Sequence, residues 1–233
     1  LESELGSSGV HLYPGFSYRH CLVLNEAETG AELVPPHDFS GKPVAGKLPT
    51  GTNAELLLRW MKRAYAILIN HPVNHARVAA GKNPANAIWF WGEGRRPALT
   101  PFFEKTGLHG AVISAVDLIQ GIGRCAGMEV VKVEGATGTF ETNFAGKAAA
   151  AVDVLKRGAD YVYVHIEAAD ECGHHGQLKE KIYSVEQIDQ QVIQPVFEYL
   201  EGCGEDYAIL VLPDHPTPLK IRTHSSDPVP FAL

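Results

Sequence analysis

The chain has 233 residues, a formal net charge of -7 and no run of basic residues. Hydrophobic residues make up 45% and charged residues 20%, which is typical of a soluble globular protein with one large or two small domains. These features argue against a nucleic-acid-binding surface, and the apolar runs are too short to span a membrane. The four cysteines form no CxxC pair, which favours free thiols in a reducing cytoplasm.

The first part of the chain, residues 1–107, has the pattern of a small α+β domain. The predicted elements are a strand at Ser17–Leu24, a long loop at 26–51, a helix at Asn53–Asn70 and a buried strand at Ala87–Trp91. Glycines follow the last strand on either side of Glu93, and Arg95 and Arg96 come next. Backbone amides and guanidinium groups in such a turn could hold an anion. A solvated turn explains the same residues equally well.

The second part, residues 108–233, alternates between strand-like and helix-like segments. The predicted strands are 108–115, 128–133, 161–168 and 207–212, and the predicted helices are 118–126, 143–157 and 178–200. Strands separated by helices indicate a mostly parallel sheet with helices on both faces. This part is therefore predicted to be one α/β domain.

Acidic residues and histidines follow the later strands. Asp170 and His174 are four residues apart, so one helical turn places them on one face. Asp214 and His215 end the next strand, and His224 lies in a proline-rich loop. Each segment alone is more typical of an exposed ion pair, but the carboxyl ends of strands meet at one edge of an open sheet. Oxygen and imidazole ligands suit zinc, manganese or iron, and five ligands indicate two ions.

Three residues near these candidate ligands are not assigned as metal ligands. His165 is predicted to lie in the core, and His175 to be exposed or to support a ligand. Cys172 lies between Asp170 and His174 in sequence and is not assigned as a ligand.

These segments resemble the C-terminal metal-binding motifs of the alkaline phosphatase superfamily. The resemblance is carried by DECGH, PDHPTP and THSSDPVPF, and upstream by HPVNHARVAAGKNPAN, WGEG and GATGTFETNFAGKA. It extends from about residue 13 to residue 231. The branch it resembles most is the cofactor-independent phosphoglycerate mutases of archaeal type, which includes bacterial relatives named as homoserine kinases.

The resemblance implies a fold and a set of site residues. Residues 108–233 would be part of an alkaline-phosphatase-like sheet, into which residues 1–107 are inserted as a substrate-capping domain. Asp170, His174 and His224 would bind one divalent ion, and Asp214 and His215 a second, with Mn, Mg, Zn or Co as the metal and no 2,3-bisphosphoglycerate. The implied contacts to a small phosphorylated substrate are Arg19, His37, Asp38, Arg77, Arg95 and Arg96.

The implied activity is interconversion of 3- and 2-phosphoglycerate in glycolysis, through a phosphoserine, by a cytoplasmic monomer or weak homo-oligomer. The family's Asp-Gly motif and nucleophilic serine are not found here, which implies an inactive internal piece of a longer enzyme. Trp91 stands where an arginine is expected before the Gly-x-Gly motif. The alternatives are therefore a kinase of a substrate such as homoserine, a metallophosphatase, or a module that only binds a ligand or folds.

Overall fold

The structure, a computed structural model, describes residues 1–5, 9–15, 18–39 and 41–233, and only the backbone of His37 and Asp38. The described chain divides into two compact units, Leu1–Pro97 and Ala98–Leu233. The boundary expected after residue 107 therefore lies within the second unit. The insertion of the first unit into the second stays a prediction. Among the described residues, no helix is long and apolar enough to cross a membrane.

The first unit consists of short antiparallel strand pairs and helices. β1 (Val10–Pro14) pairs with β2 (His20–Leu24), and β3 (Ala31–Glu32) pairs with β4 (Thr50–Gly51). Its helices are α1 (Glu2–Leu5), α2 (Ala54–Leu68) and α3 (Pro72–Ala79), with a 3-10 turn at Pro36–Phe39. The predicted strand before Leu24 and the helix after Asn53 are thus present with shorter bounds, and Ser17 lies outside the described residues.

Residues 87–91 were predicted to form a buried strand, and this was wrong. They pair with no other strand among the described residues. Side chains hold them instead: Trp89 Nε1 donates to the Val34 carbonyl at 2.8 Å, its ring lies 5.3 Å from that of Phe39, and Phe90 lies 6.3 Å from Trp60. Aromatic residues favour strands only where another backbone supplies a ladder. Here the aromatic side chains hold the segment by ring packing and by the Trp89 hydrogen bond.

The second unit is built on a parallel sheet with the strand order β6-β5-β7. The strands are β5 (Gly110–Ile113), β6 (Glu129–Val131) and β7 (Tyr161–Val164). The helices are α4 (Phe102–Thr106), α5 (Asp117–Cys125), α6 (Phe144–Lys156), α7 (Ala168–His175), α8 (Leu178–Ile188) and α9 (Gln194–Cys203), with a π-helical segment at Asp189–Ile193. The predicted α/β class with a parallel sheet is confirmed.

The central strand β5 is buried because it is paired on both sides and packed by helices. Ala111, Val112 and Ile113 are at most 4% exposed. A Cβ on Gly123 of α5 would lie 2.9 Å from Val112 Cγ2, so the close approach of this helix to the sheet requires glycine. A second cluster, formed by Phe144, Ala148, Ala168 and Val192, joins α6, α7 and the π-helical segment.

Helix α6 begins at a side-chain cap formed by Asn143, one of the two residues, Thr142 and Asn143, whose type suits that position. Asn143 Oδ1 accepts a hydrogen bond from the Gly146 N–H at 2.8 Å, which satisfies one of the free donors at the helix start. Asn143 Nδ2 also donates to the Glu134 carbonyl at 2.9 Å. The cap thereby sets the position of the first turn, which contains Lys147.

Residues 207–212 were also predicted to form a strand, and this was wrong. They make a single antiparallel bridge, between Val211 and Ala232, through two hydrogen bonds of 2.9 Å. Leu210 and Leu212 are 57% and 51% exposed. An apolar run becomes a strand only beside another extended backbone, and in the described part of the chain β7 does not pair with this segment.

Replacing Asn143 by alanine is expected to lower the free energy of unfolding by about 1–2 kcal/mol, since the cap of α6 is lost. Asn143→Asp, which keeps an acceptor for the Gly146 N–H, is expected to lose less. Urea unfolding followed by circular dichroism measures both. Equal stability of the wild type and Asn143→Ala would show that the cap does not stabilise α6.

Candidate metal centre

Asp170 and His174 lie one turn apart on the same face of α7, as their spacing predicted. Asp170 Oδ2 is 3.3 Å from His174 Nε2, and the two side chains are only 25% and 32% exposed. The helix begins a few residues after β7 ends. The pair therefore lies at the carboxyl edge of the parallel sheet, where open α/β folds place their sites.

His224 joins this pair from the C-terminal loop. Its Nε2 lies 3.4 Å from Asp170 Oδ1 and 3.1 Å from His174 Nε2. Two ligand atoms of a tetrahedral ion with bonds of about 2.0–2.2 Å are about 3.3–3.6 Å apart. The distances from the Asp170 oxygens to the two Nε2 atoms, and between these Nε2 atoms, are therefore close to those of ligands that share one metal ion.

A backbone carbonyl sets the tautomer of His174. Its Nδ1 is 3.0 Å from the carbonyl oxygen of Arg222. Because a carbonyl oxygen can only accept, Nδ1 carries the proton and Nε2 keeps its lone pair. A histidine that binds metal is usually held in this way, by a hydrogen bond from its other ring nitrogen. The residues present thus fit a metal ion.

His215 lies against the same group. Its ring is 3.7 Å from that of His224, and one ligand atom from each of Asp170, His215 and His224 fall within 4.8 Å of one another. Asp214 Oδ2 is 3.2 Å from His215 Nε2, and Asp214 is 72% exposed. The structure thus brings Asp170, His174, His215 and His224 together, while Asp214 contacts its neighbour His215. The division of the five predicted ligands between two ions stays a prediction.

Thr217 supports the cluster, and the sequence analysis did not single it out. Its hydroxyl donates to Asp170 Oδ1 and lies 3.4 Å from His215 Nδ1. It is 5% exposed, and its carbonyl accepts from Lys181 Nζ at 2.9 Å. A Cβ on Gly173 would lie 2.5 Å from that carbonyl oxygen. The only signal in the sequence was its place between two prolines in PDHPTP.

Cys172 is turned away from the ligands. It is 1% exposed, and its Sγ lies 4.0 Å from Ser184 Oγ of α8. Burial raises the pKa of the Cys172 thiol, while the hydrogen bond to Ser184 acts in the opposite direction. A metal ligand must be a thiolate, so a buried protonated thiol is a packing residue. This agrees with leaving it unassigned.

The predicted substrate contacts all belong to the first unit. Arg77 Nε donates to the Asn83 carbonyl at 2.8 Å, and the Arg19 guanidinium lies 5.3 Å from the centre of the Tyr18 ring. Arg95 and Arg96 are exposed. The side chains of His37 and Asp38 lie outside the described residues. The role of all six in binding a substrate stays a prediction.

Glu93, between the two glycines of the WGEG motif, has a structural contact. Its Oε2 accepts hydrogen bonds from the backbone N–H groups of Gly30 and Ala31 at 2.8 and 2.9 Å. This ties the turn after residue 91 to the start of β3. The Glu93 carboxylate is therefore engaged in hydrogen bonds with two backbone N–H groups of its own chain.

Lys147 is buried behind the turn that leads from β7 to α7. It is 1% exposed, and its Nζ donates to the His165 carbonyl at 3.0 Å. Burial lowers the pKa of the Lys147 ammonium to about 8, although the charge of Glu167 acts to raise it. A buried cation that is held by a single carbonyl of the turn is an unusual component of a fold.

The chain is an α/β protein with a parallel sheet. The cluster of carboxylates and imidazoles at the carboxyl edge of that sheet is typical of a metal-binding site. The chain belongs to the metalloenzyme superfamily, whose family model matches residues 38–233. A second family model, that of 2,3-bisphosphoglycerate-independent phosphoglycerate mutase, matches residues 1–74. These matches confirm the resemblance found in the motifs.

The similarity to individual proteins extends over the whole chain. The chain is 49% identical to a 2,3-bisphosphoglycerate-independent phosphoglycerate mutase of Methanosarcina barkeri, over 100% of its own length and 58% of that relative. Among solved structures, a protein from Pyrococcus horikoshii is 33% identical with a TM-score of 0.64, covering 82% of this chain and 48% of the other. The cofactor-independent phosphoglycerate mutase from Thermoplasma acidophilum is 25% identical with a TM-score of 0.53, covering 90% and 54%.

Thr217→Val is expected to weaken metal binding about tenfold, because the Asp170 carboxylate loses the hydroxyl that orients it. Isothermal titration of the chain with Mn²⁺ measures the dissociation constant. Thr223→Val, an exposed threonine of the same loop, is the matched control and is expected to bind Mn²⁺ as the wild type does. An unchanged dissociation constant in Thr217→Val would exclude this role.

The free energy of unfolding is expected to rise with pH because of Lys147. Between pH 8 and 10.5 the unfolded chain holds a proton that the folded chain has released. A lowering of the pKa from 10.5 to about 8 corresponds to a contribution on the order of a few kcal/mol. Urea unfolding at pH 7.5 and pH 10 should therefore show a larger rise, or a smaller fall, in the wild type than in Lys147→Met. The same pH dependence in both proteins would contradict a lowered pKa.

Proposed function

We propose that this chain contributes the metal centre of a 2,3-bisphosphoglycerate-independent phosphoglycerate mutase, an enzyme that interconverts 3- and 2-phosphoglycerate through a phosphoserine. The observation that carries the proposal is the group formed by Asp170, His174 and His224, with mutual distances of 3.1–3.4 Å. It occurs in a chain that is 49% identical to a named mutase over its full length. Because the chain spans 58% of that relative, the activity is proposed for the whole protein.

Two divalent ions, Mn, Mg, Zn or Co, are the proposed cofactors. Asp170, His174 and His224 would hold one ion, and Asp214 and His215 would hold the other. When bound, such ions lower the pKa of a hydroxyl nucleophile and neutralise charge on a transferring phosphoryl group. No 2,3-bisphosphoglycerate is required in this proposal, since the phosphoryl group returns to the glycerate from which it came.

The residues of the chain prepare the site before any ligand arrives. Thr217 orients the Asp170 carboxylate, and the Arg222 carbonyl keeps the proton of His174 on Nδ1 and the lone pair on Nε2. His224 and Asp214 remain 49% and 72% exposed. One side of the cluster is therefore supported by the fold and the other is open to a small phosphorylated substrate.

The first unit is proposed to contribute contacts to a small phosphorylated substrate. Arg95, Arg96, Arg19, His37, Asp38 and Arg77 are the proposed contacts. An arginine clamp on a carboxylate or phosphate would keep the glycerate in place while it reorients, which favours return of the phosphoryl group over its loss to water. We place this chemistry in the cytoplasm, where phosphoglycerate is metabolised.

Asp170→Asn tests the metal centre. The substitution removes the carboxylate charge but keeps the shape, so binding of Mn²⁺ measured by isothermal titration should fall at least tenfold. The exposed Asp189→Asn on the π-helical segment is the matched control and should bind as the wild type does. A wild-type chain that binds no Mn²⁺ would contradict the proposed contribution of this chain to a metal centre.

The identity of the substrate is tested by the unfolding temperature of the same chain loaded with Mn²⁺. A ligand that binds only the folded chain raises its unfolding temperature, and we expect 3-phosphoglycerate to raise it more than homoserine or inorganic phosphate does. A rise with homoserine alone would favour a kinase. A rise with phosphate alone would favour a metallophosphatase. In the whole protein, an enolase-coupled assay should detect conversion of 3- to 2-phosphoglycerate, and its absence would exclude the mutase.

A further inference from the structure

Lys147 belongs to a buried polar network that the proposed function does not use. Its Nζ donates to the His165 carbonyl at 3.0 Å, and His165 Nδ1 lies 3.2 Å from Ser114 Oγ. Lys147 and Ser114 are 1% and 2% exposed. The network thus joins the first turn of α6 to the carboxyl ends of the two strands β5 and β7.

The network is located where the chain turns toward the proposed ligands. The His165 N–H donates to the Ile113 carbonyl at 2.8 Å, so this residue continues the alignment of β7 with β5. Helix α7, which carries Asp170, begins at Ala168. The hydrogen bond from Lys147 therefore holds the carbonyl of the residue from which the turn to α7 starts.

Charge connects the network to the same turn. Glu167 is the residue before α7, and its charge attracts the Lys147 ammonium. Burial lowers the pKa of His165, as does the charge of Lys147, while Asp214 and Asp170 act in the opposite direction. The imidazole is therefore neutral and within electrostatic reach of the ammonium and of two proposed ligands.

Folding stability does not account for a lysine at this place. Removing an ammonium from water is unfavourable, and one hydrogen bond with one neighbouring carboxylate offsets only part of that penalty. An apolar side chain of similar length would fill the same volume without it, and such replacements are often neutral or stabilising. A role of the amine other than stability would explain its place here.

We propose that Lys147 is a positioning residue of the metal centre, which holds the β7–α7 turn through the His165 carbonyl and so keeps Asp170 and His174 in place for a metal ion. This inference rests on the proposed function, since the metal centre is itself proposed. Partners of ligating residues of this kind change metal affinity without touching the ion.

Lys147→Met tests the inference on this chain with Mn²⁺ as the probe. The substitution keeps the length of the side chain and removes the charge and the hydrogen bond. We expect the dissociation constant for Mn²⁺, measured by isothermal titration, to rise about tenfold. We expect the urea midpoint at pH 7 to be unchanged or higher. A purely structural residue would instead lower the midpoint.

Lys156→Met is the matched control on the same helix. Its amine lies 5.4 Å from the centre of the Tyr199 ring and the residue is exposed, so the substitution should leave the Mn²⁺ affinity unchanged. Lys147→Gln, which keeps an N–H donor but no charge, is the second variant in case Lys147→Met does not fold. A loss of affinity in a stably folded Lys147 variant, with the control unchanged, supports the proposal.

Three results would overturn it. Wild-type affinity in either folded Lys147 variant would show that the turn needs no lysine, and the metal centre would still stand. Affinity and stability that fall together in both variants would make Lys147 an ordinary structural residue. A wild-type chain that binds no Mn²⁺ would remove the proposed metal centre and this inference with it, so the two failures are distinguishable.

Discussion

The parallel ladder between β5 and β7 is the constraint on which the candidate site depends. It ends in the hydrogen bond from the His165 N–H to the Ile113 carbonyl. Because α7 starts three residues later, the direction of β7 decides where Asp170 and His174 lie. Pairing of β5 on both sides, together with its burial, restrains this edge of the sheet. A metal centre needs such restraint, since its ligands must keep separations within a few tenths of an ångström.

The C-terminal loop reaches the same place without being part of the sheet. It contributes the other ligands and also their supports, the Thr217 hydroxyl and the Arg222 carbonyl. Arg222 has a φ of +54°, a left-handed conformation that is uncommon for a residue with a side chain. The carbonyl of this residue is the partner of His174 Nδ1. A residue in an uncommon backbone conformation thus supports the tautomer of a proposed ligand.

The sequence patterns succeeded where the interactions are local. The helix capped by Asn143, the helical spacing of Asp170 and His174, and the alternation of strands and helices were all predictable, because each depends on residues a few positions apart. The strands predicted at 87–91 and 207–212 failed. Both segments have the composition of strands, but composition does not tell whether another backbone lies beside them. Thr217 and Lys147 were missed because their partners are distant in sequence.

By itself, the sequence determined the type of protein, the identity of the candidate ligands and the family to which the chain belongs. These follow from which residues occur and from short spacings. Only the tertiary structure decided that His215 packs against His224, that Thr217 donates to Asp170 and that a buried lysine holds the turn before α7. The physical reason is that each contact joins segments brought together by folding. Its geometry depends on the packing of the intervening chain, which no local pattern records.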